Sequence, residues 1–256
     1  MSTLRIMGAS ACAPTWLAAA PGYLLQHGDA STIVDLGPGV VHTLAENRLL
    51  DTLSSVVISH RHADHCTDVT TLAYRRSFPR QLPSLPMWAP TGFSEVLSGL
   101  DAVFGIPTLP ELAHPTTDAF DLTEVEPGAT FTLGDLHVST VQANHPVPTL
   151  TMRFEELGLL YTADTGMTEE LLALSSGVDV LLAEATYRAA AGIDVSSHGH
   201  LDGTLVGELA HQARVGRLVI THLADPDEAD AILAEARAVY KGPIDLARPG
   251  LVVPLG

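Results

Sequence analysis

The chain has 256 residues, 46% of them hydrophobic, and its 30 acidic side chains outnumber 13 basic ones for a formal net charge of −17. That size and apolar content suit a globular chain with a sizeable buried core and exclude intrinsic disorder. No apolar run reaches the ~18 residues of a bilayer-spanning helix, and a field of this sign repels polyanions such as long nucleic acids. The first residues read as a strand and not as a leader. Two cysteines, Cys12 and Cys66, are too few for a disulfide scaffold, so a cytoplasmic setting is expected. Cys66 is read as a small packing residue.

In chain order, β-like runs are expected at 4–7, 22–26, 32–35 and 56–59, with a helix over 40–48. The run 56–59 leads into His60-Arg61-His62-Ala63-Asp64-His65, three imidazoles and a carboxylate within six residues. Each such group needs a partner once it leaves water. Imidazole and carboxylate together suit zinc, iron or manganese. A His-rich polar loop is the bland alternative, but this spacing is uncommon in loops. His60 and His62 lie two apart, so an extended backbone points them the same way and lets them chelate one ion. Asp64 and His65 fall where the chain turns into a helix over 66–75. They can face a second ion at the ~3.5–4 Å spacing of two-metal hydrolases. The motif reads as half of a two-metal site.

Residues 80–127 are rich in proline, with β-like character at 87–89 and helical character at 93–104. They read as an insertion or a covering segment around a cleft, whose walls could include Tyr74, Arg75 and Tyr187. Further strands are expected at 129–133, 136–142, 150–155, 158–162, 178–184 and 218–221, and helices at 168–175, 204–215 and 228–240. Asp202 or Thr204 could cap the 204–215 helix with Gly216 past its end, and Asp225-Pro226 opens the last one. This order predicts one layered α/β domain over 1–256, with helices outside two sheets. Four later strands end in His145, Asp164, Glu184 and His222. Singly, each reads as a turn or cap residue. Together with the first motif they converge on one sheet rim, where α/β folds build sites.

The His-x-His-x-Asp-His segment, followed by His145, by Ala163-Asp164-Thr165 and by Thr221-His222, resembles the metallo-β-lactamase fold superfamily across 6–223. The resemblance implies a four-layer αβ/βα sandwich with two divalent ions at one edge, zinc first, with manganese or iron as alternatives. It implies His60, His62 and His145 on one ion, Asp64, His65 and His222 on the other, and Asp164 bridging both.

Ala183-Glu184-Ala185-Thr186 and His198-Gly199-His200-Leu201 are similar to segments of the tRNase Z-like phosphodiesterase branch. There a Glu–His pair protonates the leaving oxygen. This implies His200 as donor, oriented by Glu184. His198 is the competing choice, and a buried structural ion pair is the bland one. Members that process tRNA carry a long Gly/Pro/Lys-rich arm between the equivalents of His145 and Asp164. Here that interval, 146–163, holds one arginine and no lysine.

The expected activity is hydrolysis of small phosphodiesters such as cyclic nucleotides, by hydroxide generated on the metals and aimed by Asp64. Hydrolysis of carboxylic esters, thioesters or lactones at the same centre is the alternative, and tRNA 3′-end cleavage a second. A redox or non-enzymatic role, as in flavodiiron-type or degenerate relatives, is disfavoured by the intact ligand set. A homodimer is expected from similar proteins.

Overall fold

Two seven-stranded sheets face each other in the computed structural model, which describes residues 2–256. The first holds β1 (Ser2–Gly8), β2 (Gly22–His27), β3 (Ala30–Val34), β4 (Ser55–Val57), β5 (Leu85–Pro90), β6 (Phe120–Val125) and β14 (Val252–Leu255). Its spatial order is β14-β1-β2-β3-β4-β5-β6. The second holds β7 (Thr130–Leu133), β8 (Leu136–Gln142), β9 (Leu150–Phe154), β10 (Leu159–Tyr161), β11 (Val180–Glu184), β12 (Arg217–Thr221) and β13 (Ile244–Leu246). It runs β13-β12-β11-β10-β9-β8-β7.

The first half also contains α1 (Val40–Glu46), α2 (Ala63–Cys66), α3 (Asp68–Ser77), α4 (Phe93–Phe104) and α5 (Pro115–Ala119). The second contains α6 (Glu169–Ser175), α7 (Val195–His198), α8 (Gly203–Gln212) and α9 (Ala229–Val239). Among the described residues, no helix is long and apolar enough to cross a membrane.

Side-chain alternation builds the layers. In β11, Val180 and Leu182 join the core between the sheets, while Leu181 and Ala183 join a second core under helices α6, α8 and α9. Successive strand residues point to opposite faces, so a strand buried on both sides serves two cores. The first sheet does the same. Leu25, Val34 and Val57 face the second sheet, and Leu24, Ile33 and Val56 pack with Val41 and Leu44 of α1 and with Val69 and Leu72 of α3. Helix, sheet, sheet and helix therefore stack as an αβ/βα sandwich.

Strands β3 to β6 are parallel, and so are β10 to β13. His60 follows β4, Asp164 follows β10, Glu184 ends β11 and His222 follows β12. Four non-glycine residues near this rim have left-handed backbone: Cys12 (φ 61°), Asp35 (62°), Ala163 (52°) and His222 (60°). Such conformations cost free energy outside glycine and persist where surrounding contacts hold them, often at functional sites.

Two sequence expectations need correction. Residues 80–127 are not an insertion. They supply β5, α4, α5 and β6, with β5 in register between β4 and β6 from Leu85 opposite Phe120 to Pro90 opposite Val125. Two of the candidate cleft residues have partners within the chain. The Tyr74 hydroxyl donates to the Phe104 carbonyl, and Arg75 pairs with Asp51 at 3.0 Å. Helix α8 stops at Gln212, and the chain turns at Arg214 (φ 55°) before reaching Gly216.

Its start is as expected for Asp202, whose Oδ1 accepts the Leu205 N–H at 2.8 Å. Asp202→Ala should remove that cap and cost ~1 kcal/mol. Thermal unfolding should read this as a fall of about 2–4 °C.

Candidate metal centre

The sequence motif lies on a sharp change of backbone. His60 and His62 stand on extended chain after β4, and Asp64 and His65 lie on the short helix α2. Cys66 anchors the turn from below. Its thiol belongs to the core under the helices and donates to the His62 carbonyl, and burial pushes it up to about 12. His145 enters from the loop after β8, where the Asn144 carbonyl accepts the Gly166 N–H at 3.0 Å. The His222 N–H donates to the Ala9 carbonyl at 2.8 Å, which fixes that strand end against the first sheet.

Among the described residues, three clusters of potential ligand atoms result, each with its atoms within 4.8 Å of one another. One is His60, His62, His145 and Asp164. The second is Asp64, His65 and His222. The third joins Asp164, His200 and His222. His62 Nδ1 and His145 Nε2 are 3.0 Å apart, and His65 Nε2 and His222 Nε2 are 3.2 Å apart. Tetrahedral coordination with bonds of ~2.0–2.1 Å places ligand atoms about 3.3 Å apart. Asp164 stands between the first two clusters. Its Oδ2 is 3.8 Å from His60 Nε2, and its Oδ1 is 3.3 Å from His65 Nε2 and 3.4 Å from His222 Nε2.

These donors fit metal ions. His60 Nε2 and Asp164 Oδ1 are buried without a hydrogen-bond partner. An unsatisfied buried polar atom costs ~1–3 kcal/mol, and a coordinated ion would satisfy both. Burial holds the His60 imidazole well below its ordinary value and also lowers His62 and His145. They stay neutral, which is the form that binds a metal. Burial also pulls His65 down, but the carboxylates of Asp164 and Asp35 outweigh it and raise the ring well above the ordinary value.

Asp35 was not singled out by the sequence. It is fully buried and collects four donors: the Ser59 N–H at 2.7 Å, the Ser59 hydroxyl at 2.8 Å, the Tyr161 hydroxyl at 2.8 Å and His65 Nδ1 at 2.8 Å. By accepting a hydrogen bond from Nδ1–H, Asp35 favours the His65 tautomer that leaves Nε2 for a metal. Asp35→Asn keeps the side-chain shape, and asparagine tolerates left-handed backbone. It places an amide among donors, however. The variant should weaken metal binding by ~10–100-fold, measured by competition with a chromophoric chelator. Unchanged affinity would show that Asp35 is only a packing element.

Two further supports come from groups without a side-chain signature. The Cys12 N–H donates to Asp64 Oδ2 at 2.9 Å, and the Gly199 carbonyl accepts from His145 Nδ1 at 3.1 Å.

Glu184 and His200 form the adjoining pair. The carboxylate is 1% exposed, and His200 Nδ1 lies 2.9 Å from its Oε1. Glu184 is itself held by the Thr165 N–H at 2.7 Å and the Thr186 hydroxyl at 2.5 Å. That hydroxyl lies 2.9 Å from His222 Nδ1. With its own proton on Glu184, Thr186 accepts from His222 and leaves His222 Nε2 free. Burial pulls His200 down, but the hydrogen bond and charge of Glu184 outweigh it, so the ring titrates above its ordinary value. His198 is exposed and stands beside Tyr187, with ring centroids 6.5 Å apart. His200, not His198, is the residue placed against Glu184.

A family model described as "Beta-lactamase superfamily domain" matches residues 32–223. The probable metallo-hydrolase YhfI of Bacillus subtilis is 29% identical over 241 residues, covering 91% of this chain and 92% of its own. The crystal structure of YhfI superposes with a TM-score of 0.85 at 26% identity, over 99% of both chains. A Ribonuclease Z of Thermoplasma acidophilum is 24% identical over 294 residues, covering 94% of this chain and 93% of its own. The short form of human tRNase Z shares the fold with a TM-score of 0.78 at 18% identity, over 99% of both chains. A diphosphatase of the PhnP family shares it with a TM-score of 0.72 at 16% identity, over 99% of this chain and 97% of its own. The family match runs from within β3 to just past His222 and so takes in every residue of the three clusters. The chain belongs to the beta-lactamase superfamily, as a metal-dependent hydrolase of the metallo-β-lactamase fold.

Proposed function

We propose that the chain hydrolyses small phosphodiesters, cyclic nucleotides among them, with two divalent ions for which zinc is the first choice. His60, His62 and His145 would hold one ion, Asp64, His65 and His222 the other, and Asp164 both. When bound, the ions supply a water acidic enough to attack at neutral pH and positive charge that offsets what builds on phosphorus. Asp64, steadied by the Cys12 N–H, orients the attacking water by accepting its hydrogen bond.

The observation that carries the reaction class is the Glu184–His200 pair. An alkoxide leaving from phosphorus needs a proton, and an activated carbonyl ester needs one far less. A ring nitrogen of His200 lies within 4.8 Å of ligand atoms of Asp164 and His222. Nδ1 is engaged by Glu184, so Nε2 is the atom left to donate. The kinship with Ribonuclease Z supports phosphodiester chemistry. The 146–163 interval supports a small substrate, because it folds back into the sheet with β9 and β10 paired antiparallel. We place the enzyme in the cytoplasm, as a homodimer, on the strength of its free cysteines and the prevalence of twofold assemblies.

The test is metal analysis with a substrate panel on one sample. The panel holds bis-p-nitrophenyl phosphate, 2′,3′- and 3′,5′-cyclic nucleotides, unprocessed tRNA, and ester and lactone probes. Two ions per chain with turnover of the small diesters is expected. Turnover of esters or lactones alone, or of tRNA alone, would overturn the substrate class.

A further inference from the structure

The loop between β11 and α8 carries the proton donor, and its far end also touches the first metal cluster. The Gly199 carbonyl accepts from His145 Nδ1 at 3.1 Å, and the His200 N–H of the same peptide unit donates to the Val195 carbonyl at 3.2 Å. A peptide unit is planar and rigid. The atom that fixes the His145 tautomer and the backbone that aims His200 therefore move as one piece.

Only glycine fits there. Gly199 has φ 68°, and a Cβ would stand 2.5 Å from the Asn144 carbonyl oxygen, 3.1 Å from His145 Cα and 3.3 Å from His145 Nδ1. The other end of the loop is tied away from the metals. Glu235 of α9 accepts the N–H groups of Ala189 at 2.9 Å and Ala190 at 3.2 Å. The Tyr187 carbonyl accepts the Gly203 N–H at 3.2 Å.

We infer that Gly199 is a positioning residue for His145, and that the loop 187–200 couples loading of the first ion to placement of the proton donor His200. Coordination through His145 Nε2 sharpens the demand for a proton on Nδ1 and for an acceptor to take it. The Gly199 carbonyl already supplies that acceptor at 3.1 Å, so filling the first cluster would strengthen its hold on the 199–200 peptide. Reciprocally, a loop already seated there presents His145 in the binding tautomer. This coupling rests on the two-ion reading above and, being reciprocal, ties metal loading and donor placement together without setting an order between them.

The test uses the full chain and needs no substrate. Zinc affinities are measured by chelator competition for the wild type, Gly199→Ala, Glu235→Ala and His200→Ala. Amide hydrogen exchange over 187–200 is followed with and without zinc. Gly199→Ala should lose ~10–100-fold in affinity at one ion, the size of effect seen when a ligand's outer partner is removed, while the other ion stays.

Glu235→Ala touches no ligand and should lose about 2–30-fold, the range of couplings carried through packed networks. It decides the matter if Gly199→Ala does not fold. His200→Ala should keep both affinities. Zinc should slow exchange across 189–200 in the wild type and less so in Glu235→Ala. Unchanged affinities in both loop variants, or exchange indifferent to zinc, would overturn the coupling and leave the hydrolase reading standing. A substrate panel without diester turnover would overturn that reading and leave the coupling standing.

Discussion

His200→Ala is expected to lower kcat for a cyclic nucleotide by ~10²–10⁴, the usual worth of a positioned general acid, and to leave two metal ions in place. The effect should shrink towards nothing for a diester with a p-nitrophenolate leaving group, which departs without a proton. This contrast separates donation from a structural role, because a disordered site would lose both substrates alike. The pH profile gives a second readout. Glu184 raises His200 above its ordinary value, and the rate should fall as pH rises through the value at which the donor loses its proton. In His200→Ala this alkaline limb should vanish for the cyclic nucleotide. In Glu184→Gln it should move to lower pH, since two nearby cations then act on an imidazole without its carboxylate. Equal losses on both substrates with an unchanged alkaline limb would mean that the pair serves the fold alone.

The parts of this site that were legible in the sequence are those where covalent spacing does the work. His60, His62, Asp64 and His65 sit within six residues, and strand and helix geometry translate that spacing into direction. His145, Asp164, Glu184 and His222 were legible because each ends an apolar run, and strand ends of one polarity share a rim. Asp35 also ends such a run, but its meaning lies in partners 24, 30 and 126 positions away, Ser59, His65 and Tyr161. Only the stacked sheets bring these together. The supports from Cys12 and Gly199 are backbone groups, which any residue type carries, so they leave no compositional trace.

The strands with no clear signal in the sequence are of the same kind. β13 has three residues, β14 contains Pro254, and β6 shows a polar outer pattern inside a proline-rich stretch. Each is specified mainly by the neighbour it pairs with. The 80–127 stretch misleads for that reason: its prolines suggest a loop, whereas β5 is held between β4 and β6.

Asp164→Ala should cost more than the loss of any single histidine. The carboxylate directs one oxygen at each cluster, so in the proposed centre its removal would take a ligand from both ions at once. It also removes the one negative charge buried between them. Burial alone would raise this carboxyl, but the imidazoles of His222 and His65 pull it well below the usual carboxylate range. It is therefore ionised over the whole working pH range. Metal charge stabilisation is worth several kcal/mol, and ~4 kcal/mol corresponds to about 10³ in rate. The expected result is metal content falling from two ions to at most one per chain, with activity on any diester down about 10³-fold or more.

Stability offers an independent check. A ligand that binds only the folded chain stabilises it by RT ln(1 + [L]/Kd), so the rise in Tm on adding zinc should shrink with the lost affinity. At Oδ1 the metal-free variant loses no hydrogen bond, only the contacts with His65 and His222. It should still fold. A folded Asp164→Ala protein that keeps two ions and the full zinc-induced rise would show that the two clusters bind independently. The shared carboxylate would then be a bystander, and the centre would have to be redrawn as two separate mononuclear sites.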